Sequence, residues 1–328
     1  MAGTRLGFDI GSNSIKVAVL RGGAVRVEEM RLPENMLDGS GNIGLPHVFS
    51  QFLKQMRKDL KLPRGKVSLV LPPHQVVCRL VTMPKMTADQ LVMNLPYEFS
   101  DFIQGVADQY VCDYALCSPT ESEEESEEEV MPLMAAVAAK QTLANYTQIF
   151  ARAGMRLQTV LPQEMALIDL VKGRKEGPEE YCFVDLGHFN TRITVVWRDR
   201  VQATRQIGVG GRNFDIAAAD QLGVDAFLAN TYKVSNHQNI QSDPALTDLC
   251  GQIAVEILKV INFYQFTYRS SDLQGIYLVG GGAYMPYLHK AIEDTVGLPL
   301  LSPEELLSGA GELAAAGVFA AGAAMGGK

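Results

Sequence analysis

One stretch of the chain occurs twice. Residues 6–20, LGFDIGSNSIKVAVL, and residues 182–196, CFVDLGHFNTRITVV, align at a constant offset of 176, which pairs Asp9 with Asp185, Gly11 with Gly187 and Lys16 with Arg192. Each copy reads as an apolar strand, a turn holding Asp-x-Gly, a few small or polar residues, and a second strand of alternating pattern. A third strand follows in both, at 24–31 and 201–207, across turns marked by Gly22-Gly23 and Asp199-Arg200. Three antiparallel strands followed by a helix, twice in one chain, predict two α/β lobes built on the same plan. A length of 328 residues leaves each lobe near the usual domain size of roughly 150.

Between and after the copies the pattern predicts further elements. Helical spacing runs over 45–60, and strands over 66–71, halted by Pro72-Pro73, and 75–82. From Met83 the texture changes: a helix over 88–102 capped by Thr87, strands over 110–117 and 130–138, and a helix over 141–153 stopped by Gly154. These predict an inserted subdomain at 83–154. A strand at 156–161 and a helix at 163–171 then complete a first lobe core of 1–82 and 155–178, joined by the closing helix of 312–328. The second lobe core is expected at 179–209 and 272–311. Helices over 210–222, 225–232 and 246–268 form a further subdomain at 210–271. An apolar strand at 275–279 ends in Gly280-Gly281-Gly282, with a helix from Met285.

Composition removes several classes of function. The net charge is −8, but the run ESEEESEEE at 121–129 supplies seven carboxylates, and without them the balance is −1. No global charge field drives binding to nucleic acid. The five cysteines lie apart, with no CxxC pair, so neither a disulfide framework nor structural zinc is expected. Asp9 and Lys16 interrupt the N-terminal apolar pattern, so no signal peptide is expected. The apolar tail at 313–325 is short of the ~20 residues of a membrane span. A cytoplasmic location is expected. Of the histidines, His47, His74, His237 and His289 show no spacing for a metal or a nucleophile relay. The run 121–129 reads as a self-repelling hairpin tip rather than a site for a basic partner. Most of the methionines read as single core or loop positions, with Met83, Met86 and Met93 the candidates for an adaptable apolar groove.

The turns carry the chemistry. Glycine lets backbone N–H groups approach anionic oxygens, and two facing Asp-x-Gly turns suit a polyphosphate. Ser12, Asn13 and Ser14 add donors, and Lys16 a compact positive charge for the outer phosphates. Asp9 and Asp185 make sense holding the waters of a Mg²⁺, which keeps part of its hydration shell. Gly280, Gly281 and Gly282, between strand and helix, suit an anion or ribose at a helix N-terminus, or equally a tight strand-to-helix turn needing positive φ. Gly210 and Gly211, with Asn213, read the same way before their helix. Glu256 and Lys259 stand at i, i+3 and could reach an adenosine together, or form a plain surface pair.

In this order the turns resemble the nucleotide-binding signature of the actin-like ATPase superfamily. Within it the chain is similar to the PilM family of type IV pilus assembly proteins, related to FtsA. The resemblance rests on DIGSNSIK (9–16), GVGGRNFD (208–215), EILKVINFY (256–264) and IYLVGGGAYMPYL (276–288). It implies a duplicated, ribonuclease H-like α/β fold of two lobes (1A, 2A and 2B) with a 1C insert subdomain, binding ATP and Mg²⁺. It also places Gly187 and Asn190 of the second turn on phosphate, although His188 and Phe189 stand where many members carry small polar residues. A water-activating acid of some members falls near Gln163 and Glu164. Glutamine can orient a water but cannot take its proton, so slow hydrolysis is expected. The implied partner is the cytoplasmic N-terminal segment of a PilN-like membrane protein, in a groove between 1A and 1C near residues 76–81 and the insert helix. That partner would hold the chain peripherally at the inner membrane face, and the pilus assembly ATPase and platform protein are implied as further partners. The other readings are an FtsA-like filament former and a small-molecule kinase. The insert looks apolar rather than sugar-reading, which counts against the kinase.

Overall fold

The repeat folds as two sheets of the same order. The computed structural model describes residues 3–33, 35–120, 130–172, 174 and 177–326, and the acidic run 121–129 lies outside them. In the first lobe β1 (Arg5–Ile10), β2 (Ser14–Arg21) and β3 (Ala24–Arg31) form an antiparallel meander. Strands β4 (Lys66–Val70) and β8 (Leu157–Leu161) join in parallel beyond β1, giving the order β3-β2-β1-β4-β8. The second lobe repeats this with β9 (Glu180–Leu186), β10 (Thr191–Trp197), β11 (Arg200–Ile207), β12 (Ile276–Val279) and β13 (Leu300–Leu301), ordered β11-β10-β9-β12-β13. Even the registers coincide: Asp9 stands opposite Lys16, and Asp185 opposite Arg192.

Strand β2 is buried from Ser14 through Leu20, so its sequence is nearly continuous in apolar residues, as a strand covered on both faces requires. One face packs on α1 (Pro46–Asp59) and α3 (Lys140–Arg152), with Phe8 edge-on to Phe150 at 5.2 Å. The other face meets α4 (Gln163–Val171) and α9 (Ala314–Gly326). These two helices are shared. The same core takes Phe183 and Tyr277 of the second sheet, whose rings lie 5.6 Å apart. The far face of that sheet is covered by α5 (Gly211–Leu222), α7 (Pro244–Thr267) and α8 (Pro286–Val296).

A third sheet, ordered β5-β7-β6, combines β5 (Val76–Pro84), β6 (Tyr110–Leu116) and β7 (Val130–Ala139) and packs on α2 (Ala88–Asn94). It corrects three expectations. Strand β5 pairs with β7 over nine residues rather than forming part of the first lobe's edge. The helix at 140–152 packs on the first lobe's sheet, so by packing the inserted unit is 76–139, not 83–154. The helix expected over 88–102 stops at Asn94 and continues as 3₁₀ over Leu95–Phe99. Pro96 lacks an N–H to bond back along an α-helix, which explains the change.

The third sheet is fastened to the second lobe through the β10–β11 turn. Ser118 donates from its backbone N and its Oγ to Asp199 Oδ2 at 2.9 and 2.8 Å, and Arg200 donates to the Ser118 carbonyl.

Helix α6 (Ala226–Val234) begins at Asp225, whose Oδ1 accepts from Phe227 N at 3.0 Å and Leu228 N at 2.9 Å. Asp225→Ala leaves two first-turn donors without that partner, a loss of about 1 kcal/mol and a fall in Tm of roughly 2–4 °C. Asp225→Ser retains most of it. A thermal melt of both variants checks this, and equal melting of wild type and Asp225→Ala counts against the cap.

Candidate functional site

Both Asp-x-Gly turns open into one cleft between the lobes, a cavity of about 1130 Å³. From the first lobe it is lined by Asp9, Gly11, Ser12, Asn13, Ser14 and Lys16, and from the second by Asp185, Gly187 and Asn190. Gly280, Gly281 and Gly282 line it as well, together with Gln163 at the start of α4.

Each turn is closed the same way. Gly11 N donates to Ser14 O at 3.0 Å, and Gly187 N to Asn190 O at 3.0 Å, again at an offset of 176. Ser12 and Asn13 are left exposed at the tip of the first turn. Gly280 has φ +85°, and a Cβ there would run into Asp185 Oδ1, so the second carboxylate packs directly on the glycine turn.

The cleft floor concentrates charge. Lys16 is 8% exposed, and its Nζ lies 3.8 Å from Glu29 Oε1, which also accepts from Ser14 Oγ at 2.5 Å. Burial pushes the Asp9 carboxyl above its ordinary range, with Lys16 acting the other way. Asp185 is pushed up to about 7, first by burial and then by the charge of Asp9, against Lys16 and Arg192. Two buried carboxylates beside one lysine, the second raised further by the charge of the first, form a site whose apo state carries unfavourable charge. Added positive charge relieves it. Among the described residues no three His, Cys, Asp or Glu side chains gather to hold a metal directly.

At three of the expected positions the structure favours the plainer of two readings, although Gly211 does line the cleft. Gly210, Gly211 and Asn213 do not present a free helix N-terminus. Gly211 N donates to Gly187 O at 2.9 Å and Arg212 N to His188 O at 2.7 Å. Gly210 N donates to Asn213 Oδ1 at 3.0 Å, and Asn213 N to Gly210 O at 2.9 Å. The second turn has itself capped the helix, and the glycine at 210 permits it, since a Cβ would lie 2.5 Å from Asn190 N. Glu256 and Lys259 do not line the cleft. They pair with each other at 2.6 Å, and Arg205 holds the other Glu256 oxygen at 3.2 Å. Lastly, the helix after Gly280-Gly281-Gly282 starts at Pro286 with Met285 as its N-cap, where the sequence puts it, so these glycines shape a turn of the cleft wall rather than a helix's first turn.

Glu164 is 6% exposed and bound to Arg192 at 2.7 Å, a lobe-to-lobe ion pair that turns it away from the cleft. Gln163 does face the cleft, and its Oε1 is buried without a partner. An acceptor so placed suits a bound water or hydroxyl. The sequence reading missed Glu29 and also Lys233. Lys233 lines the cleft from α6, bound to Asp215 Oδ1 at 2.6 Å, with Asn230 Nδ2 donating to Asp215 Oδ2 at 3.2 Å. His188 sits 3.9 Å from the same carboxylate, and burial pushes its pKa down. The local segment TYKV carried no signal for Lys233; its place depends on α6 folding over the cleft.

Comparison with known proteins agrees with this architecture. The family model of type IV pilus assembly protein PilM matches residues 7–302. Among solved structures the chain is similar to a chain of a PilM–PilN type IV pilus biogenesis complex. The TM-score is 0.82 at 21% identity, covering 98% of this chain and 97% of that one. It is also similar to the ethanolamine utilization protein EutJ from Carboxydothermus hydrogenoformans, with TM-score 0.61 and 16% identity over 99% of this chain and 90% of that one. For MreB5 of Spiroplasma citri bound to ADP the TM-score is 0.53 and the identity 14%, over 97% and 94% of the two chains. The two-lobed repeat is thus the actin-like fold. No helix among the described residues is long and apolar enough to cross a membrane. With a family match running from the first Asp-x-Gly turn through the glycine turn and beyond, the chain belongs to the PilM family of type IV pilus assembly proteins.

Proposed function

We propose that this pilus assembly protein is an ATP-binding scaffold that holds the cytoplasmic N-terminal segment of a PilN-like inner-membrane protein. The carrying observation is that Asp9, Lys16 and Asp185, from two repeated turns of different lobes, line one cleft. Lys16, Ser12 and Asn13 would meet the phosphates, while Asp9 and Asp185 would hold Mg²⁺ through its waters. The ion would offset the triphosphate's charge and the mutual repulsion of the carboxylates. Nucleotide bound by both lobes favours the closed arrangement in proportion to its differential affinity for it. Hydrolysis is slow in this reading: Glu164 is held by Arg192, and Gln163 has no basic group.

The partner segment docks on the inserted sheet and its helix. Val92, Met93 and Tyr97 are exposed there, at 62, 67 and 76%. Of the three methionines expected to line a groove, only Met93 remains available. Met83 is buried in the small core under the third sheet, and Met86 packs against it. The complex tethers the chain to the inner membrane face, and the relative solved as a PilM–PilN complex supports this choice of partner.

The test is a titration of a synthetic N-terminal segment of the partner with and without Mg-ATP. Tighter binding with Mg-ATP is expected, and weakening by Met93→Asp in both conditions. Equal affinity in both conditions removes nucleotide gating, and no binding in either removes the partner.

A further inference from the structure

At the opposite end of the first lobe from the cleft lies a second concavity, of about 200 Å³. Strands β1, β4 and β8 run in parallel, with their C-terminal ends leading to Asp9, Pro72 and Gln163 in the cleft. Their N-terminal ends border this second pocket. Its floor is apolar, made by Leu6, Val67 and Met155, each buried. Its rim carries three guanidinium groups, Arg57, Arg64 and Arg156, and no carboxylate.

The arginines are not balanced from elsewhere. Among the described residues none of the three makes an ion pair. Arg57 donates to the Gly154 carbonyl at 2.8 Å, which fixes its guanidinium at the rim, while Arg64 and Arg156 are exposed. Around them Lys58, Lys61, Lys66 and Arg152 also lack ion pairs, and the nearest acid along α1, Asp59, accepts from Gln55 at 2.7 Å. So dense a cationic face is unexpected in a chain of net charge −8. Its like charges repel one another in the absence of a counter-anion.

We propose that this pocket binds a phosphate group. Planar guanidinium forks match phosphate oxygens in pairs, which separates this site from a general basic surface. The volume accommodates a phosphate with a short substituent, such as a glycerophosphate, but is too small for the nucleotide placed in the cleft. The same chemistry is offered by an anionic phospholipid headgroup and by a small phosphate ester in solution. Either source leaves the cleft free.

The experiment compares wild type with Arg64→Glu/Arg156→Glu, whose positions are exposed and outside the core, and whose Mg-ATP thermal shift serves as the folding control. One arm measures co-sedimentation with vesicles of phosphatidylglycerol against phosphatidylcholine. The other measures thermal stabilisation by glycerol 3-phosphate in a buffer free of phosphate. The expected result is binding in one arm that falls roughly tenfold or more in the double variant, with the Mg-ATP shift unchanged and binding retained by Lys16→Ala. Loss only on the anionic vesicles identifies the headgroup as the source, and loss only with glycerol 3-phosphate identifies the soluble ester. Absence of binding in both arms, or equal binding by wild type and double variant, overturns the site.

Discussion

Gly322→Val is expected to be among the most destabilising single substitutions in this chain, costing about 3 kcal/mol or more. The reason lies in how the lobes are joined. Helix α9 is buried from Ala314 through Ala324 and packs on the first sheet and on α4, with Ala315 reaching the second lobe's core. Its small side chains are what let backbone meet backbone. A Cβ at Gly322 would run into the carbonyl oxygen of Ala166 in α4, and one at Gly7 of β1 would strike the carbonyl of Ala320. Neither obstacle is the end of a flexible side chain, so the helix itself must move. Movement there disturbs both lobes at once. A fall in Tm of roughly 6–12 °C is expected, with Gly322→Ala intermediate, since its single methyl group meets the same carbonyl. Melting of Gly322→Val within 2 °C of wild type would falsify the close approach of α9 and α4.

That helix marks how far the sequence could be read. An Ala-rich closing helix was visible as composition, and the duplication was visible because an offset of 176 survives in residue identities. Sheet order and the facing of the two turns follow from the duplication, since each copy carries the same strand pattern. Other features depend on partners far apart in sequence, which local pattern does not encode. The glycines at 210 and 211 looked like an open anion site, because nothing nearby in sequence announces that the carbonyls of Gly187 and His188 accept the helix's first donors. Glu256 and Lys259 were recognisable as an i, i+3 pair, but whether that side of α7 faces the cleft is a matter of tertiary packing. The same holds for Glu29 and Lys233. They reach the cleft from β3 and α6, on segments with no motif of their own. Strand β5 was seen as a strand, while its partner β7 lies beyond the acidic run.

The cleft therefore combines a repeated scaffold with charges gathered by folding, and this makes stability and binding respond in opposite directions at Asp185. Its carboxyl titrates near 7 in the folded chain, because of burial and the neighbouring Asp9, against about 3.9 in an unfolded one. Between those values the folded state holds a proton that the unfolded state has lost. Stability is therefore highest below about 4 and declines as the pH rises towards 7, beyond which the whole penalty is present. Asp185→Asn keeps the shape and removes the charge. The apo variant is expected to melt above wild type at pH 8, by roughly 2–5 °C, and the gain shrinks towards pH 5 as the wild-type carboxyl takes up its proton. With Mg-ATP the order reverses. A ligand at ~100-fold over its dissociation constant adds about 2.7 kcal/mol to the wild type, and the variant, having lost a carboxylate that holds the ion's waters, is expected to gain little. Lys16→Ala supplies the contrast: it also loses the nucleotide response, but leaves Asp9 and Asp185 less compensated, so its apo form melts below wild type. Scanning calorimetry of the three proteins at pH 5 and 8, with and without Mg-ATP, separates the cases. An Asp185→Asn variant that keeps the full nucleotide shift, or that melts below wild type at pH 8, contradicts a cleft built from opposed carboxylates awaiting a cation.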